Sequence, residues 1–195
     1  ELLSAVAGDL YADLLARLTE AAGPLPPGPR ALRALAAAYR EWSLAHPAEF
    51  ALLLAVPNAR PPHRAADQVA DQAADQAGGR ADDQGQDGDA PGVRQSFITT
   101  LLRAAGPLLT RAGHPAPPAS AAAELAVYRR LAADATGRPA ADFEDGALYA
   151  AVVAWGMLQG QVALEALGQR PFPTADADAV FDGTVENVLG GLTAV

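Results

Sequence analysis

The side chains able to do chemistry are few and scattered. The three histidines, His46, His63 and His114, each stand in or beside a proline-rich break. None lies at helical metal-ligand spacing from another, so they read as solvent-facing or cap-region residues and no metal site is expected. Cysteine is absent, which removes thiolate ligands, thiol nucleophiles and disulfides together. There is no phosphate-cradling glycine loop and no nucleophile elbow. The adjacent acids Glu144 and Asp145 open a helical pattern, where carboxylates complement the helix dipole. No catalytic residue and no cofactor is assigned. What stands out instead is six aromatics, Tyr39, Trp42, Phe50, Phe97, Tyr128 and Trp155, on the apolar stripes of separate segments. Any one of them is an ordinary core residue. Together, in a bundle of small residues, they can enclose a cavity between helices, a usual place for a small ligand. Leu148, Val152, Trp155, Gln159 and Val162 recur at steps of four and three, so Trp155 and Gln159 share a face. A buried amide is costly unless something meets it. The expected ligand-binding set is therefore these six aromatics with Leu101 and Gln159.

The elements that must position them are helices. Leu3, Val6, Leu10, Leu14 and Leu18 form one stripe over residues 1–22, ended by Gly23-Pro24. A second helix runs over 30–45 with Leu32, Leu35, Tyr39 and Trp42, broken at His46-Pro47. Pro47 then starts a short one carrying Phe50, Leu53 and Leu54, closed by Pro57. Further helices are predicted over 93–111, with Pro107 kinking or dividing it and Gly113 stopping it, and over 120–133, closing near Gly137. The longest runs over 143–167, capped by Asp142, and the last is capped by Thr174 or Asp176. No segment alternates with a period of two, so the fold class is all-α, a helical bundle without a sheet.

Composition agrees. Half of the 195 residues are apolar, nearly half of those are alanine, and only 6% are aromatic. Alanine favours helices and lets them approach closely. Polar residues interrupt every apolar stretch well short of the roughly 20 residues a membrane span needs, and no signal peptide opens the chain. No membrane partner and a cytoplasmic location are expected. All fourteen basic residues are arginine, and the net charge is −9, which argues against DNA binding by this chain itself. Residues 58–92 differ from the rest. Ala66-Asp67-Gln68, Ala70-Asp71-Gln72 and Ala74-Asp75-Gln76 repeat every four residues, and Val69 is the only large hydrophobe between Arg60 and Pro91. Such a stretch cannot offset its ordering entropy, so it reads as a disordered Asp/Gln-rich insertion.

The stretch Tyr39-Arg40-Glu41-Trp42-Ser43-Leu44-Ala45-His46-Pro47-Ala48-Glu49-Phe50-Ala51-Leu52-Leu53 resembles the ligand-domain segment of TetR-family transcriptional regulators. Trp155-Gly156-Met157-Leu158-Gln159-Gly160, with Leu164-Glu165 and Gly168, resembles the subgroup whose C-terminal domain is named for a Trp-His-Gly signature. Glu1-Leu2-Leu3 resembles the point where the family's DNA-reading domain hands over to its ligand domain. Two positions depart from the pattern. The signature histidine is Gln159, a neutral amide that both donates and accepts, and an aromatic-Gly-Pro turn is replaced by Leu54-Ala55-Val56-Pro57. The resemblance implies a homodimeric, effector-responsive regulator, usually a repressor. It reaches operator DNA through an N-terminal helix-turn-helix domain expected before residue 1, and residues 1–195 are its effector-binding and dimerisation domain.

The last two helices are where the resemblance places the dimer. On the penultimate one, Tyr149, Val153, Gly156, Gly160, Leu164 and Leu167 lie opposite Trp155. Two glycines four apart weaken a helix unless a close crossing offsets the loss, and Phe181, Val185, Val188 and Leu192 offer a partner stripe, giving a four-helix interface. Two other readings compete. One is an all-α small-molecule-binding protein or enzyme with no DNA role, which the residues preceding Glu1 discriminate. The other is a helical interaction module, which a fully packed core would favour.

Overall fold

The computed structural model describes residues 2–55, 90–172 and 176–193, and among these every regular element is helical. The helices are α1 (Leu2–Ala22), α2 (Pro29–Ala45), α3 (Pro47–Ala55), α4 (Ala90–Leu109), α5 (Ala122–Thr136), α6 (Asp145–Ala166) and α7 (Ala177–Thr193). Short 3-10 turns at Ala119–Ala121 and Ala140–Asp142 precede α5 and α6. The Asp/Gln-rich insertion expected over 58–92 lies outside the described residues except for its last three, which already belong to α4.

Local chemistry sets most boundaries where the spacing puts them. Proline occupies the first position of both α2 and α3, where its missing N–H costs nothing. Gly137 ends α5 in the left-handed conformation, φ 71°, its N–H returning to the Ala133 carbonyl. Asp176 caps α7, accepting from the Asp178 N–H at 2.9 Å. Thr174, the alternative cap, lies outside the described residues. Three expectations fail in detail. Pro107 does not divide α4 near Gly106: the helix runs past it to Leu109. Asp142 sits in the preceding 3-10 turn, and Glu144 holds the N-cap position of α6 without a side-chain bond. In α1 the buried line is Ala7, Leu14 and Leu18 with Leu10 and Tyr11 beside it, while Val6 is left exposed.

The main core joins α1, α2, α3, α4, α6 and α7 around Leu14, Leu35, Tyr39, Phe50, Phe97 and Val162. A second cluster fills the space between α4, α5 and α6 around Leu102, Leu109, Leu125, Phe143 and Leu148. α4 thus runs between both, and α1 packs chiefly on α4 and α2, α6 on α7. Gly28 (φ 135°) turns the chain into α2 and donates its N–H to the Ala104 carbonyl at 2.8 Å, fixing that turn on α4. By length and hydropathy α6 alone among the described helices could cross a bilayer. One such helix is weak evidence for a span, and its Ala147, Leu148, Ala154, Leu158 and Val162 are packed within the bundle.

One close approach gives a stability prediction. A Cβ at Gly146 would meet the Pro115 carbonyl oxygen at 2.9 Å and the His114 carbonyl oxygen at 3.0 Å. These are backbone atoms and cannot swing away. Gly146→Ala is expected to cost about 1–3 kcal/mol, the usual range for overpacking, despite alanine's higher helix propensity. Denaturant titration checks this, and a variant more stable than the parent contradicts it.

Candidate functional site

Between the layers lies a cavity of about 350 Å³, walled by side chains of all seven described helices. α1 contributes Tyr11 and Leu14; α2 contributes Leu35 and Tyr39; α3 contributes Phe50 and Leu53. Phe97, Leu101 and Leu102 enter from α4, Tyr128 from α5, and Leu148, Trp155, Leu158 and Gln159 from α6. α7 closes it with Val185, Val188, Leu189 and Leu192.

One end is a set of interlocked rings. Trp155 stands edge-on to Tyr39 at 4.9 Å between centroids and to Phe97 at 5.3 Å. Tyr39 also meets Phe50 at 5.8 Å, and Tyr11 meets Phe97 at 6.4 Å. Edge-to-face contacts of this kind fix ring orientation beyond simple burial. Burial, with help from nearby Tyr11, pushes the Tyr39 phenol well above its ordinary value of 10, and a hydrogen bond with the Gln159 side chain offsets part of that rise. The Gln159 amide thus stands close to the Tyr39 phenol in the cavity lining. At the other end burial and Glu124 raise Tyr128. Both phenols are therefore neutral hydrogen-bonding groups at ordinary pH.

The Tyr39 environment is testable by alkaline titration. A folded-state value above the unfolded one stabilises the protein fully below pH 10, and that contribution fades as pH climbs through the folded value. The tyrosinate absorbance difference between the parent and Tyr39→Phe should therefore be flat through pH 10 and appear only above it. A normal step at pH 10 contradicts this.

Seven of the eight residues expected around a ligand line this cavity: Tyr39, Phe50, Phe97, Leu101, Tyr128, Trp155 and Gln159. Trp42 does not. Its indole N–H donates to Asp13 Oδ2 at 2.6 Å, and its ring stacks on His46 at 5.1 Å, so it joins α2 to α1 behind the cavity wall. Helical spacing put Trp42 near the Tyr39 stripe; the pull of Asp13 on a buried N–H turns it to the other side. Tyr11 and the α7 residues complete the lining.

Arg40 is the second assembly. Its guanidinium makes a two-pronged pair with Glu165 on α6, Nε to Oε2 at 2.8 Å and Nη2 to Oε1 at 2.7 Å. It also reaches Asp178 on α7 at 2.7 Å and lies 4.8 Å over the Phe181 ring. The Arg40 and Glu165 side chains are 15% and 8% exposed, so this tie from the cavity-bearing α2 to the last two helices is largely out of water.

The outer face of α6 is apolar and, among the described residues, uncovered. Val153 and Met157 are 45% and 54% exposed, Leu164 and Leu167 stand beside them, and a Cβ at Gly156 or Gly160 would meet nothing within 4 Å. The glycines therefore do not accommodate a neighbour within the described chain. Tyr149 is half-buried against the second cluster. Phe181 and Val185 are not on such a face: both are buried in the main core, and Val188 and Leu192 line the cavity. The bundle needs the large side chains of α7 to close its interior, and this leaves Gly183, Asn187, Gly190 and Gly191 outward.

A family model described as tetracyclin repressor-like, C-terminal domain, matches residues 32–188. The chain belongs to this family. Its helical bundle is the fold expected of a repressor-like C-terminal domain, and the family's domains are ligand-sensing parts of transcriptional regulators, regulatory rather than catalytic. No curated protein and no solved structure shows a significant match to this repressor-like domain.

Proposed function

We propose that this chain is the effector-binding and dimerisation domain of a cytoplasmic transcriptional repressor, with a helix-turn-helix domain preceding it in the natural protein. The observation that carries the reading is the cavity on which all seven described helices converge, lined by Tyr39, Trp155 and Gln159, inside a domain of the repressor-like family. Its partners are a small-molecule effector, a second copy of the chain and, through the preceding domain, operator DNA. The uncovered α6 face, with its two open glycines, and the small-residue face of α7 suit a closely crossed, twofold-symmetric four-helix contact. A dimer covers this face without any need for a membrane. Effector entry shifts the populations of α1 and α2 around the cavity, and α1 passes the change to the DNA heads. No step of this scheme is catalytic.

The test is a DNA titration with and without the preceding domain. This chain, acidic overall, is expected to show no salt-sensitive, sub-micromolar binding to duplex DNA, because phosphate contacts need a basic face. The longer gene product is expected to retard a fragment of its own promoter. Tight DNA binding by this chain, or none by the longer product, contradicts the proposal. The alternative, an all-α binding protein or enzyme with no DNA role, predicts that second result.

A further inference from the structure

The cavity's chemistry constrains what enters it, on the reading that it is the effector site. Among the described residues, its lining contains no charged side chain. The polar groups these residues turn to it are the three phenols of Tyr11, Tyr39 and Tyr128, the Trp155 indole and the Gln159 amide, all uncharged. Charged side chains nearby are committed elsewhere: Arg40 to Glu165 and Asp178, Asp13 to the Trp42 N–H, Arg103 to the Ala135 carbonyl. An ion placed here would lose its water without gaining a counter-charge, a loss that buried ions avoid by pairing.

We infer that the effector is an uncharged, largely apolar ring compound of roughly 10–20 non-hydrogen atoms, the number that a cavity of this volume holds at interior packing density. Its flat faces pack against Trp155, Phe97 and Phe50, whose edge-to-face arrangement presents both ring edges and ring faces. A hydrogen-bonding group on it meets the Tyr39 phenol and the Gln159 amide of the lining, which offer both donor and acceptor. Among the described residues the opposing feature is Glu124, which acts on Tyr128 electrostatically and has a buried carboxylate oxygen without a partner. It is not among the described residues of the lining, and the cationic competitor below tests whether it draws a positive group in.

The test uses the uncharged fluorophore N-phenyl-1-naphthylamine on the intact chain, displaced by three ligands of one ring size: 1-naphthalenemethanol, 1-naphthylmethylammonium and 1-naphthoate. The fluorophore should bind with one site per chain. The neutral alcohol should displace it at concentrations at least tenfold lower than either ion. Displacement by the cation or the anion as effective as by the alcohol overturns the uncharged class while leaving the site standing. Two filling variants, Ala151→Phe and Leu101→Phe, each checked for helicity, separate the other failure. Fluorophore binding should weaken at least tenfold in whichever variant folds. Unchanged binding in a folded variant, or no binding by the parent, overturns the site itself.

Discussion

Gly160→Leu is expected to raise the dissociation constant of a dimer of this chain at least 100-fold, about 3 kcal/mol, while leaving its helicity unchanged. Inside the protomer the substitution is free of conflict, because a Cβ at Gly160 meets nothing within 4 Å. If anything, leucine favours the helix over glycine by about 0.5–1 kcal/mol. In the proposed dimer the whole effect arises between copies, where a leucine would hold apart two backbones expected to cross at Gly156 and Gly160. Met157→Glu, which sets a charge in the middle of the same exposed apolar face, should act in the same direction. Leucine at Ala123, exposed on α5 away from this face, should do nothing. Sedimentation equilibrium checks all three. A parent chain that is monomeric at micromolar concentration, or a Gly160→Leu chain that dimerises as well as the parent, contradicts the assignment.

The second large effect is expected at Arg40. Arg40→Ala strands Glu165, 8% exposed, without its two-pronged partner and takes the guanidinium off Phe181. Removing one member of a buried pair costs far more than the pair is worth, so a loss of about 3 kcal/mol is expected, a fall in Tm of roughly 6–12 °C for a chain of this size. Asp178 is exposed and contributes little to this. The double variant Arg40→Met/Glu165→Leu replaces both charges with apolar volume and should recover most of the loss. A single variant within 1 kcal/mol of the parent, or a double variant no better than the single, overturns the account of the pair.

How much of this was legible beforehand differs by level. Helices were legible nearly to the residue at several prolines and glycines, as at Pro29, Pro47 and Gly137, though not at Pro107, which lies inside α4. The first three act through their own backbone at a helix end. Most of the cavity's aromatic and polar lining was legible too, because Tyr39, Phe97, Trp155 and Gln159 sit on inward stripes whose period the helix fixes. Direction within a stripe was not. Trp42 lies one turn from Tyr39 yet faces Asp13, a partner 29 residues away that no local pattern announces. Phe181 and Val185 read equally well as an outward or an inward stripe. Only the packing of α7 on the rest of the bundle decides that large side chains close the interior, leaving glycines and polar residues outward. Arg40 was hidden for the same reason, since its partners come from α6 and α7, more than a hundred residues on.

The central claim is that occupancy of this cavity is felt by α1 and α2. Hydrogen–deuterium exchange of the chain, with and without saturating N-phenyl-1-naphthylamine, tests it most directly. Slowed exchange is expected in α1, α2 and α4 and on the inner side of α6, the elements that bring Tyr11, Tyr39, Phe97 and Trp155 to the cavity. A bound probe that slows exchange only along the outer face of α6, or that leaves α1 and α2 unchanged, would contradict it.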